Sequence, residues 1–160
     1  MPFKRRKEGK TDYEQRLKLL KSGKPALVVR KSLKYITAQI SEFDKKGDKI
    51  LASVTSRELK KMGWTFSCDN LPAAYLTGLM IGKKSLDKKI NGAVLNSGIY
   101  TSVKGSRIYA VVRGAKDAGL DVPVDEEILP TDERINGSHI EKFKNMPSEF
   151  EKIKGKIVGG

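Results

Sequence analysis

The clearest pattern in the chain is KYITAQISEF, residues 34–43, where Ile36, Ala38 and Ile40 alternate with Tyr35, Thr37, Gln39 and Ser41. A period of two puts one set on each face of a strand with one buried side. ALVVR (26–30) before it and KILASVTS (49–56) after it are strands of the same kind. The turn KKGD (45–48) joins the last two as a hairpin. The short gap at Lys31–Leu33 joins the first two, so the three form an antiparallel meander.

The period then changes to that of helices. Leu71–Lys84 has Pro72 in its first turn and an apolar side of Ala73, Ala74, Leu76 and Met80, and Gly82 marks its fraying end. GAVLN (92–96) is a short buried strand. Gly105–Ala118 carries Ile108, Val111, Val112, Ala115 and Ala118 at helical spacing, with Gly119 as C-cap. Ahead of the strands, residues 11–22 read as a short helix. Thr11 or Asp12 caps it, Glu14 completes a capping box, and Tyr13, Leu17 and Leu20 share a face. Ser22-Gly23 stops it. Late in the chain, VPVDEEILPTDER reads as an ordered loop or docking segment, HIEKFKNM as a last short helix ended by Pro147, and IKGKIVGG as a mobile tail.

The order predicts an α+β (mixed α/β) fold: a central, mostly antiparallel sheet flanked by two long helices, with a basic N-terminal arm and short helix. Residues 1–24 form that arm, 25–120 the globular core, and 121–160 an acidic loop, a short helix and a basic tail packed on the core.

Charge adds what the pattern lacks. The 160 residues carry a net +13, and +9 of it falls in the first 35, with 12 bases against three acids. Residues 36–116 hold +8, residues 117–151 hold −7 and the last nine hold +3. A basic first half and an acidic late segment imply two faces, one of them for a polyanion. The N-terminus is charged from Lys4 onward, without the apolar stretch of a secretory signal. No apolar run approaches the ~20 residues that span a bilayer, and residues 1–10 lack the apolar face of a membrane-surface helix. The expectation is a soluble, cytoplasmic protein.

Catalytic chemistry is poorly supplied. The single histidine, His139, sits in a polar context that suits a surface or capping residue. One cysteine, Cys68, excludes an internal disulfide and a cysteine-based zinc cluster, and it reads as a small buried hydrophobe. The acidic pairs Glu126-Glu127 and Asp132-Glu133 lie off the central strands, whereas a two-metal site wants carboxylates converging from rigid elements. No cofactor, metal or small-molecule substrate is expected.

The basic clusters remain. Lys4, Arg5, Arg6, Lys7 and Lys10 form a dense run whose bland alternative is a solubility tail. Arg16, Lys21 and Lys24 follow on the first helix and its exit, with Tyr13 beside them. Arg30, Lys31, Ser32 and Lys34 surround a tight connection next to Tyr35. Cations grip phosphates there, a hydroxyl bonds phosphate or a 2′-OH, and a ring stacks on an unpaired base. Lys83, Lys84, Lys88 and Lys89 crowd a helix end, where pairing with the helix dipole is the alternative. Lys104 and Arg107 open the later helix, whose N-terminus suits a phosphate. Cations spread over an arm, loops and element ends suit an irregular folded RNA better than a DNA groove. An RNA-processing enzyme and a DNA-coating protein remain the rivals.

GKTDYEQRLKLLKSGKPALVVRKSLKYITAQI resembles the start of large-subunit ribosomal protein eighteen of archaeal type, the 5S rRNA-binding family of that subunit. AAYLTGLMIGKKSL resembles its first long helix, GSRIYAVVRGAKDAGLDVP its second helix and exit loop, and ERINGSHI a late motif. The likeness runs over roughly residues 3–142 with the four motifs in order. It implies a structural, non-enzymatic protein that binds 5S rRNA, helps anchor it to 23S rRNA in the central protuberance, and touches neighbouring large-subunit proteins. Leu33 stands where the family commonly has asparagine, which removes one hydrogen-bonding side chain from that loop.

Overall fold

The computed structural model describes residues 2–160. Helices α1 (Lys4–Lys7) and α2 (Tyr13–Lys21) precede strands β1 (Ala26–Lys31), β2 (Ile36–Glu42) and β3 (Lys49–Thr55). Then come α3 (Glu58–Lys61), α4 (Leu71–Asp87), β4 (Val94–Asn96), α5 (Arg107–Asp117), α6 (Asp132–Asn136) and α7 (Met146–Gly159). The sheet runs β3-β2-β1-β4, with the meander antiparallel and β4 parallel to β1. The α+β architecture is the expected one.

The period-two pattern does what it predicts. Ile36, Ala38 and Ile40 are fully buried with Leu27, Val29, Ala52 and Val54 under α4 and α5. The opposite face shows half-exposed Thr37, Gln39 and Ser41. Register shifts between Ile40, which faces Ala52, and Ser41, which faces Ile50, so Leu51 is the extra residue of a bulge.

Helices α4 and α5 touch through their backbones. A Cβ on Gly78 would overlap the carbonyl oxygen of Val111, and one on Gly114 would overlap that of Tyr75. A Cβ on Gly82 would stand 2.7 Å from that of Ala118. Gly82 therefore does not mark a fraying end. It is buried inside α4, which continues to Asp87, because its missing side chain admits the neighbouring helix. Asn70 caps α4 by accepting from the Ala73 N–H at 2.9 Å. Ser106 holds the cap position of α5, but its buried hydroxyl finds no partner among the described residues. Gly119 supplies the positive φ, 107°, that ends α5.

Further expectations are corrected. Pro147 does not end a helix; it sits in the first turn of α7, where its missing N–H costs nothing. Residues 153–160 are not a loose tail: Met146, Phe150, Ile153 and Ile157 follow helical spacing and are buried, with α7 packed on α4. HIEKFKNM holds a 3₁₀ turn, Glu141–Phe143, and the first residue of α7. On α2, Leu17 and Leu20 do not form a buried face, since Leu17 is 55% exposed and no α2 residue is fully buried. No helix among the described residues is long and apolar enough to cross a membrane.

Candidate nucleic-acid interface

The arm folds back on itself. Asp12 caps α2 by accepting from the Glu14 and Gln15 N–H groups at 3.0 and 3.1 Å. The Phe3 ring lies 5.0 Å from that of Tyr13, and Arg5 Nε donates to Thr11 Oγ1 at 2.9 Å. These contacts hold α1 against the start of α2. The short α1 thus presents Lys4, Arg5, Arg6 and Lys7 together, all exposed. Glu8 lies 2.8 Å from Lys10 and 4.0 Å from Lys4, so one carboxylate is shared between two cations. Arg6 and Lys7 have no ion pair among the described residues.

Between the arm and the sheet lies a cleft of about 710 Å³. Arg5, Lys10, Tyr13, Arg30 and Tyr100 line it, with Asp12 as the only carboxylate among the described residues. Tyr100 carries the surface onward. Its hydroxyl donates to the Lys31 carbonyl at 2.8 Å, and the Lys31 ammonium stands 5.2 Å above its ring. The 31–35 turn follows, with Lys34 exposed and Leu33 projecting at 95% exposure. The Lys60 ammonium is 5.9 Å from the ring of Tyr35. Cations and aromatic rings therefore alternate from α1 through the cleft to α3. Lys60 joins this surface although sequence reasoning passed over it. The signal was available in the exposed cations of RELKK, but only the fold sets α3 beside Tyr35.

Several expected contacts are committed elsewhere. Arg16 donates to both carboxylate oxygens of Asp48, at 3.0 and 2.8 Å, and that pairing raises its pKa. Arg30 donates from Nη1 to the Val29 and Asn96 carbonyls, both at 2.8 Å, and burial lowers its pKa. Its guanidinium shapes the cleft wall and joins β1 to the end of β4. Ser32 is a turn builder: its hydroxyl donates to the Tyr35 carbonyl at 3.0 Å and accepts from the Tyr35 N–H at 3.0 Å. Tyr35 is half-buried against the core.

The lysines at the end of α4 also turn inward. Lys83 Nζ donates to the Ile157 carbonyl at 2.9 Å and closes the C-terminal end of α7. Lys84 donates to the Ser53 carbonyl at 3.2 Å and Lys88 to that of Leu51, so both latch the edge strand β3. Arg107 donates to the Asp69 carbonyl and carboxylate, both at 3.0 Å, which ties α5 to the segment before α4. Lys24 stands 3.9 Å from Asp121. Lys21, Lys89 and Lys104 are exposed and form no ion pair among the described residues.

Elsewhere the chemistry is quiet. Burial pushes the Cys68 thiol up, so it stays protonated at neutral pH. His139 Nδ1 lies 3.1 Å from the Glu133 carbonyl, on the surface.

Comparison with known proteins shows the family. The family described as "Ribosomal large subunit proteins 60S L5, and 50S L18" matches residues 1–92, which hold the arm, the meander and α4. The chain is 52% identical over 149 residues to "Large ribosomal subunit protein uL18" of Methanococcus maripaludis, covering 93% of this chain and 77% of that protein. With more than half of the chain matched by the family and 52% identity over 93% of it, the chain belongs to the archaeal-type uL18 family, large-subunit ribosomal proteins that are structural components and not enzymes.

Proposed function

We propose that this chain binds 5S rRNA and helps anchor it to 23S rRNA in the central protuberance of the large ribosomal subunit. The observation that carries the reading is the continuous run of cations and rings from α1, through Tyr13 and Tyr100, to Lys31, Lys34 and Lys60. Phosphates meet the cations and set the register, while bases turned out of a helix stack on the tyrosines. Of the expected contacts, Lys4, Arg5, Arg6, Lys7, Lys10, Tyr13, Lys31 and Lys34 touch RNA. Arg16, Arg30, Ser32 and Arg107 position the surface, and Lys83, Lys84 and Lys88 hold the fold. Residues 1–24 and 25–120 supply the RNA grip, and the acidic segment 117–151 faces neighbouring ribosomal proteins.

The test is binding to transcribed 5S rRNA over a salt series with excess tRNA. Specific binding survives the tRNA, and its logarithm falls linearly with log salt by about 0.7–0.9 per phosphate neutralised. Binding that tRNA removes in proportion to its phosphate content leaves only a generic polycation and overturns the reading.

A further inference from the structure

The two edges of the sheet are treated differently. On β3, the ammonium groups of Lys84 and Lys88 occupy main-chain carbonyls of Ser53 and Leu51. Strand β4 has no such cover. Its Val94 N–H donates to the Pro25 carbonyl beside β1 at 2.9 Å. Backbone groups of successive residues in a strand point to opposite sides, so the Leu95 N–H and C=O face outward. Among the described residues nothing bonds to them.

The chain begins to cover this edge and then stops. Ala93 N–H donates to the Asp121 carbonyl and Asp121 N–H to that of Asn91, both at 2.9 Å, in a parallel bridge. Pro123 follows, with no N–H to extend the pairing. The chain bends away and leaves a groove of about 490 Å³ beside Leu95. Its walls are the half-buried Val94, Leu95, Tyr109, Val124 and Ile128, with Asp125 at the rim. Glu126 and Glu127 follow at once and are exposed. None of these three carboxylates has an ion pair among the described residues. Glu126 also borders a second hollow with Arg113 and Lys116, and Lys104 stands next to Gly105, whose N–H donates to the Ile128 carbonyl at 2.8 Å.

We propose that this groove takes an extended, lysine- or arginine-rich segment of another protein, which adds a strand beside β4. The open N–H and C=O of Leu95 supply main-chain pairing. The apolar walls take alternate side chains, and the three carboxylates select cations on the others. The rim disfavours RNA, since it faces phosphate with like charge. It also disfavours a second copy joined edge to edge, which would bring the same carboxylates together. The inference does not depend on the RNA reading, since it uses the opposite charge and another edge of the sheet.

The whole chain is tested by amide exchange and NMR titration with a synthetic peptide of about eight alternating valines and lysines. Bound peptide slows exchange at the Leu95 amide at least about tenfold and shifts residues 93–95 and 123–128. A peptide N-methylated at alternate residues, and one with glutamate for lysine, lose that protection. The triple variant Asp125→Lys, Glu126→Lys, Glu127→Lys weakens binding at least about tenfold with an unchanged circular dichroism spectrum. Failure to bind, or an unchanged Leu95 amide at saturation, overturns the proposal. Equal binding by the N-methylated peptide reduces the site to surface charge and overturns it too. Protection of Leu95 by 5S rRNA instead would assign the edge to nucleic acid.

Discussion

Arg16 donates from both terminal nitrogens to the carboxylate of Asp48, 32 residues away, and so fastens α2 to the β2–β3 hairpin. The pair is partly exposed and its energetic contribution is small, about 0.2–1 kcal/mol. Its effect is geometric: it sets where the arm stands against the sheet, and hence the shape of the cleft. Removing Asp48 deletes a negative charge near the RNA surface, so simple electrostatics expects tighter binding. Positioning by Arg16 expects the reverse. Asp48→Ala should weaken 5S rRNA binding about two- to fivefold with little change in Tm. Tighter binding by this variant would show that the pair does not position the arm.

Helices α4 and α5 share a glycine contact with no room for a methyl group. Gly114→Ala would drive its Cβ into the Tyr75 carbonyl. It should cost about 1–3 kcal/mol or more in urea unfolding, although alanine is the better helix former. Gly155→Ala, where nothing lies within 4 Å, should stabilise slightly. Equal effects at the two sites would contradict the close approach.

The C-terminal helix is part of the core. Phe150→Ala should destabilise by about 3–5 kcal/mol, because the ring is buried against Tyr75 at 5.6 Å. The amides of Ile153 and Ile157 should show exchange protection close to that of β2. Free exchange there would restore the loose tail that the glycines and lysines suggest.

Tyr75 donates its hydroxyl to Asp117 Oδ2 at 2.5 Å, and burial first, then that hydrogen bond, raises the phenol's pKa above its ordinary 10.0. The neutral form is therefore favoured in the folded state. Its contribution is complete below pH 10 and is lost as pH rises through the higher folded value. Tyr75→Phe should flatten the loss of stability above pH 10, measured by denaturant midpoints at pH 8 and pH 11. An unchanged alkaline slope would remove Tyr75 from that account.

The strands were legible because Ile36, Ala38 and Ile40 obey a strict period with the turn residues in place. The α5 stripe was legible for the same reason. Helix α7 was missed because Pro147 and Gly155 read as breaks. A proline in the first turn and a glycine on an open face break nothing, and Met146, Phe150, Ile153 and Ile157 had the helical spacing all along. The cations were legible as a class but not in their destinations. Arg107 meets Asp69 across 38 residues and Lys83 meets Ile157 across 74, so only the fold tells which charges stay free for RNA.

The central claim is that place, not charge alone, decides RNA binding. Two triple variants remove the same charge: Arg6→Ala, Lys7→Ala, Lys34→Ala on the arm-to-turn surface, and Lys89→Ala, Lys104→Ala, Lys144→Ala at three other exposed lysines, Lys144 standing just before α7. Affinity for 5S rRNA is measured for both across a salt series. The first should lose at least about thirtyfold and flatten the salt slope by about two units, and the second should stay within about threefold of the parent. Equal losses and equal slopes would contradict the account and leave the chain a diffuse polycation.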